Sequence, residues 1–256
     1  MRKRNLFTLA AALLVSLSAF AADLTVDDIV AKNIEARGGA DKWKAVQSYR
    51  ATGKMALPGG MEAPFTMTKK RPELLRLDFT FQGMTGTQAY DGTGGWMIMP
   101  FLGKKDPEAM SGDMLKEVKD MADFDDQMWN YKAKGNKVEL LGKSDIEGTP
   151  AYKLQMTTKD GTESTHYIDA ETFLEVKTEA KRKVQGQEVE GESTIGNYQD
   201  FGGILFPTSI ENKAKGGQGG GQTITIEKVE INPTLTDDTF KMPAKKAEEK
   251  PAAKQQ

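Results

Sequence analysis

From Gln47 onward apolar and polar residues alternate with a period of two, and the alternation returns along most of the chain. Tyr49, Ala51, Gly53, Met55 and Leu57 are interleaved with Arg50, Thr52 and Lys54. Ala63, Phe65 and Met67 follow with Thr66 and Thr68 between them, then Leu75, Leu77, Phe79 and Phe81 with Arg76, Asp78 and Thr80. That period sends every second side chain to one face, so these runs suit half-buried strands and not helices. Pro58-Gly59-Gly60, Arg71-Pro72-Glu73 and Asp91-Gly92-Thr93-Gly94-Gly95 supply turns, giving an antiparallel meander. The pattern resumes at 138–141 and runs through Tyr152, Leu154 and Met156, then His166 and Ile168, Leu174 and Val176, 195–201, 205–213 and 223–231. In the last run Ile224 and Ile226 are out of phase with Val229 and Ile231, which predicts a bulge near Glu227 and Lys228.

Two segments break the alternation. Thr25-Val26-Asp27-Asp28 is a capping-box start, Ile29, Val30 and Ile34 fall at helical spacing, and Gly38-Gly39 stop the helix. A second short helix is predicted over 40–46, anchored by Trp43, and the pair reads as a plug for one end of the sheet. Between Leu102 and Trp129 the strand pattern stops again. Asp106-Pro107-Glu108 is read as a helix opening, and Met110, Met114, Val118 and Met121 form an apolar stripe opposite Lys116, Glu117, Lys119 and Asp120. This helix is expected to act as a movable lid inserted in the middle of the sheet.

Export is expected. Met1-Arg2-Lys3-Arg4, the apolar run 6–17 and Ala19-Phe20-Ala21 read as a secretory signal peptide over 1–21, cleaved after Ala21. The apolar run is too short to span a bilayer. With no cysteine there is no lipidation point after the signal, no disulfide and no thiolate metal site. One domain over 22–243 must therefore rest on its own core, and the charged residues 244–256 read as a disordered tail. The net charge of −2 becomes more acidic once Arg2, Lys3 and Arg4 are removed, which argues against nucleic acid. The expected location is the periplasm.

Catalytic signatures are missing. The single histidine, His166, lies inside a strand with no cysteine partner, and a structural place is favoured over metal ligation. No H-E-x-x-H, G-x-S-x-G or phosphate loop occurs, and the glycines of 91–95 join two strands with no helix after them. No enzyme activity, cofactor or metal is expected. Methionine stands out instead: Met55, Met67, Met84, Met97, Met99, Met110, Met114, Met121, Met128 and Met156 recur on elements that should share an interior. They suit either a surface that accepts variable apolar shapes or a filled core.

Three motifs in order resemble those of the LolA/LolB-like lipoprotein carriers. They are Lys70-Arg71-Pro72 before an alternating strand, Tyr90-Asp91-Gly92 with Trp96 and Pro100-Phe101, and Phe240-Lys241-Met242-Pro243. The resemblance spans nearly all of 23–243 and implies a mainly β (α+β) fold, an incomplete antiparallel β-barrel of about ten to eleven strands. An N-terminal helix and a mid-sheet lid would close it over an apolar cavity. It further implies a soluble periplasmic carrier of the shuttle type, since the chain lacks the lipidated cysteine of the membrane-anchored receptor type. Cargo would be lipoprotein acyl chains or another lipid, moved toward the outer membrane between an inner-membrane donor and an outer-membrane acceptor by a monomer touching membranes transiently. Phe65, Met67, Leu77, Phe79, Phe81, Trp96, Ile98, Met110, Met114 and Met121 are the expected ligand-binding residues. Arg71 matches the family's arginine that bonds lid backbone and holds the empty carrier closed, with a plain turn arginine as the alternative. A non-carrier envelope module with a packed interior is the competing function.

Overall fold

A computed structural model describes residues 24–57, 59–184, 187–215 and 221–245. The expected signal peptide lies outside the described residues, as does nearly all of the expected tail. Among the described residues no helix is long and apolar enough to cross a membrane.

Thirteen strands form one antiparallel sheet. The first six, β1 (Ser48–Leu57), β2 (Met61–Lys70), β3 (Leu74–Phe81), β4 (Met84–Tyr90), β5 (Gly95–Met99) and β6 (Lys104–Ala109), make one wing. The other wing holds β7 (Lys137–Ile146), β8 (Thr149–Thr157), β9 (Glu163–Asp169), β10 (Glu175–Val184), β11 (Gln187–Asp200), β12 (Leu205–Ala214) and β13 (Gln222–Ile231). The spatial order runs from β6 down to β1, then β13 down to β7. Each strand thus lies beside its neighbour in the chain, except that β6 and β7 are the two free edges. Residues 110–136 must cross from one edge to the other, and they carry helix α3 (Gly112–Ala122).

The fold class is as expected, an open sheet with few helices, but the strand count exceeds the expected ten to eleven. One cause is β6, whose Pro107 was read as a helix start. Proline is tolerated there because β6 is an edge strand with no ladder on its outer side. The bulge falls where the phase change puts it. Thr52 pairs with Lys228 and Gly53 with Ile226, so Glu227 is the extra residue. A Cβ on Gly53 would lie 1.9 Å from the Thr225 carbonyl oxygen, so only glycine fits beside that bulge.

Helix α1 (Val26–Ala36) has its capping box: Thr25 Oγ1 accepts from the Asp28 N–H and the Asp28 carboxylate accepts from the Thr25 N–H. Ile29, Val30 and Asn33 are its buried face. Asn33 donates to the Phe173 carbonyl (2.7 Å) and accepts from the Trp129 indole (2.9 Å), tying α1 to the β9–β10 turn and to the crossing segment. Helix α2 (Ala40–Ala45) adds Trp43, whose ring packs 5.1 Å from Trp129 and 5.5 Å from Phe206. These residues belong to the larger apolar core, which fills the sheet at the α1 end. The C-terminal segment covers the outer face of the first wing: Trp96 Nε1 donates to the Phe240 carbonyl (2.8 Å), and Arg76 to that of Thr239 (3.1 Å).

Candidate functional site: the inner face and its cover

Cross-strand register fixes which residues share the inner face of the first wing. Phe65 pairs with Phe79, Met67 with Leu77, and Leu75 with Tyr90, which pairs in turn with Gly95. Phe65 is buried, whereas Met67, Leu77, Phe79 and Phe81 are half-buried, so five of the expected lining residues do lie together. Trp96 and Ile98 do not. Gly95 shares the inner face with Tyr90, so alternation turns Met97 and Met99 inward and sends Trp96 and Ile98 to the outer face, opposite Ala89 and Thr87. The phase set by Leu75 and Tyr90 was the signal that would have separated them.

The lid also differs from the expected stripe. Met110 is buried but precedes α3, with its N–H donating to the Gly95 carbonyl (2.8 Å). Met114 faces solvent, 44% exposed. The covering face keeps the expected Val118 and Met121 and adds Leu115 and Ala122 in place of Met114. Together with Leu75, Tyr90, Met97 and Met99 these residues form a second, smaller apolar core. A Cβ on Gly95 would lie 2.7 Å from Val118 Cγ1 and 3.1 Å from Leu115 Cδ1, so a bare backbone is what lets α3 seat.

Polar clasps hold this cover at both ends. Past α3, Arg71 forms a two-pronged pair with Asp125 (2.6 and 2.7 Å) and donates to the carbonyls of Val46 (2.8 Å) and Trp43 (3.1 Å) at the end of α2. Its guanidinium stacks 4.3 Å over Phe124. The arginine expected to bond lid backbone therefore holds a carboxylate three residues beyond the lid helix. Lys69 donates to the Asp123 carbonyl (3.0 Å), and Lys134 to the Asp123 carboxylate (2.6 Å). Burial pulls the Lys69 pKa down to about 8 and raises that of Asp123, against the pull of Lys134. Across the mouth, Lys116 of α3 reaches the β8–β9 turn, pairing with Asp160 and donating to Thr162 Oγ1 (2.6 Å). The Lys116 hydrogen bond draws the Asp160 pKa down to about 2. The sequence names Lys116 only as part of the polar side of the lid helix and gives Asp125 and Asp160 no clasp role, because each is one charge among many until the strands bring it opposite its partner.

No family model matches the chain, and no curated protein matches it. Solved structures do. A LolA superfamily protein from Nitrosomonas europaea is 17% identical, with a TM-score of 0.58 over 85% of this chain and 98% of that one. A DUF1329 family protein from Desulfovibrio piger gives 15% identity and a TM-score of 0.60, over 84% and 97%. A domain from Vibrio parahaemolyticus assigned to outer membrane lipoprotein sorting gives 13% and 0.57, over 82% and 94%. The chain has the LolA-like fold.

The two wings of this LolA-like sheet carry different inner faces. On the second wing Leu154 pairs with His166, placing the histidine inward. His166 Nδ1 lies 2.6 Å from Glu175 Oε1, and Nε2 lies 2.9 Å from Ser164 Oγ. Burial opposes a charged imidazole, but the Glu175 carboxylate outweighs it and raises the pKa. The order hydroxyl, imidazole, carboxylate is that of a hydrolytic relay. Here β9 is laddered on both sides from Ser164 onward, which ties its backbone into the sheet. The trio acts as a fixed polar feature of the inner face. Two depressions on the second wing are lined mainly by polar groups, one around Asn197, Thr208 and Thr225 and one around Gln155, Ser164 and Glu179.

Proposed function

We propose that the protein is a carrier that takes acyl chains onto the inner face of its first wing, beneath α3. The observation that carries this is the nature of the cover. Helix α3 buries Leu115, Val118 and Met121 against Leu75, Met97 and Met99, yet its clasp across the mouth, Lys116 with Asp160, is an exposed ion pair. An exposed pair contributes about 0–1 kcal/mol, whereas each methylene removed from water contributes about 0.8 kcal/mol. Burying a few methylenes of an incoming chain therefore offsets the loss of such a clasp, and lid opening is coupled to binding.

The lining consists of Phe65, Met67, Leu77, Phe79 and Phe81, joined by Met97 and Met99 once α3 moves. Methionine there tolerates chains of different shape. Arg71 is the hinge-side latch. With the exported state and single domain over 22–243 expected from the sequence, the role is a periplasmic shuttle for lipoprotein acyl chains or another lipid, passed from an inner-membrane donor to an outer-membrane acceptor. The related domain from V. parahaemolyticus, assigned to lipoprotein sorting, supports that direction.

One observation favours a second reading, a packed envelope module: Trp43, Trp129 and Phe206 already fill the sheet at the α1 end. Native mass spectrometry of protein isolated from its own envelope decides between them. Bound lipid or acylated peptide is expected. A bare mass, with no uptake of a fluorescent fatty acid, selects the packed module.

A further inference from the structure

The second wing carries on its inner face a polar row, uncharged but for a histidine paired with Glu175, that the acyl-chain reading leaves unused. Register aligns His166, Thr178, Ser193, Asn212 and Gln222 on five consecutive strands, β9 to β13. At about 4.8 Å per strand the row is roughly 19 Å long. Its members from Thr178 to Gln222 are half-buried. One rung nearer α1 lies an apolar row, Ile195, Ile210, Ile224 and Met55, which continues onto the first wing.

The hydrogen bonds of this row are unevenly met. Ser193 Oγ donates to Asn212 Oδ1 (2.6 Å), which leaves the Asn212 amide NH2 without a hydrogen-bond partner among the described residues. The Thr178 hydroxyl also has none there. The Gln222 amide reaches only the thioether of Met55, at 3.5 Å, a weak acceptor. Half-buried donors facing an apolar surface gain most from a ligand that brings acceptors. From Thr178 to Gln222 the row holds no ionisable side chain. The same strands carry Lys177, Glu179, Glu192, Glu211 and Lys213, and all of these point to the outer face, where they pair with one another at 2.7–3.1 Å. The only ionisable group in the row, His166, is held by Glu175.

We infer that the ligand is a neutral amphiphile, whose acyl chain is joined through an ester or amide carbonyl to an uncharged polar head. Its carbonyl and hydroxyl oxygens accept from Thr178, Asn212 and Gln222, and its chain runs over the isoleucine row to the first wing. This rests on the acyl-carrier reading and specifies its substrate class. An anionic head would meet no inward cation free to pair with it on this row.

The test uses full-length mature protein loaded with the neutral probe N-phenyl-1-naphthylamine, displaced by 1-monopalmitoylglycerol or by palmitate. The glycerol ester should displace it at about tenfold lower concentration, the worth of one or two hydrogen bonds. In a Thr178→Val/Asn212→Leu variant that keeps the wild-type circular dichroism, the ratio should fall to within about twofold. Gln222→Leu, near the strand end and milder for folding, should narrow it in part. Equal displacement by the two lipids in wild type, or a ratio that survives every substitution, overturns the inference and leaves the carrier reading standing. Failure of wild type to take up the probe or either lipid overturns both.

Discussion

The two wings of the sheet are built from the same alternating strands and present opposite chemistry inward. The first wing turns Phe65, Met67, Leu77, Phe79, Met97 and Met99 in and is covered by α3. The second turns in Tyr152 and Ile168 near α1, then Leu154 opposite His166 with Thr178, Ser193 and Asn212 in register, and Lys116 of α3 reaches its β8–β9 turn. A period of two settles which face a residue takes, while residue type decides what that face can hold. One LolA-like sheet can thus join an apolar surface to a polar one without a second domain.

The sharpest way to break this contrast is on the outer face of the first wing. Trp96→Ala removes a fully buried indole and its bond to the Phe240 carbonyl, and should cost about 3–5 kcal/mol of stability. Lipid affinity should hold at temperatures where the variant is folded. If thermal melting barely moves but lipid uptake is lost, Trp96 belongs to the lining after all. Gly95→Val drives a side chain into Val118 and should cost about 1–3 kcal/mol, located in the cover. Hydrogen exchange should then quicken over α3 and stay unchanged over β8–β10. Equal loosening of both wings would show that α3 is not an independent cover.

Arg71→Leu strands Asp125 and two carbonyls at a partly exposed site, and about 1–3 kcal/mol is expected. Faster ligand uptake and release would mark the latch, whereas wild-type rates would reduce Arg71 to a turn residue. The smallest effect belongs to the clasp across the mouth. Asp160→Asn should change α3 opening by no more than about 1 kcal/mol. The folded pKa of Asp160, about 2, lies below its ordinary value of 3.8, so the clasp's contribution is complete above 3.8 and is lost as pH falls through about 2. Exchange of α3 should therefore show no Asp160-dependent change between pH 7 and pH 5. A change there that Asp160→Asn abolishes would contradict this assignment.

The chain by itself determined the strands other than β6, the helix start at Thr25, the bulge at Glu227 and the glycine stops, because each follows from chemistry within a few residues. That Phe65, Met67, Leu77, Phe79 and Phe81 share one face was legible for the same reason. Trp96 and Ile98 were misplaced because alternation within β5 needs a phase, and that comes from pairing with β4. Tertiary structure alone decided the rest. Arg71 meets Asp125 across 54 positions, and Lys116 meets Thr162 across 46. The polar row needs five strands in register, with the break between Glu175 and Lys177 counted in. A local pattern gives a side chain its face, but its neighbour there depends on every turn length and bulge between the two, and those add up only in the folded sheet.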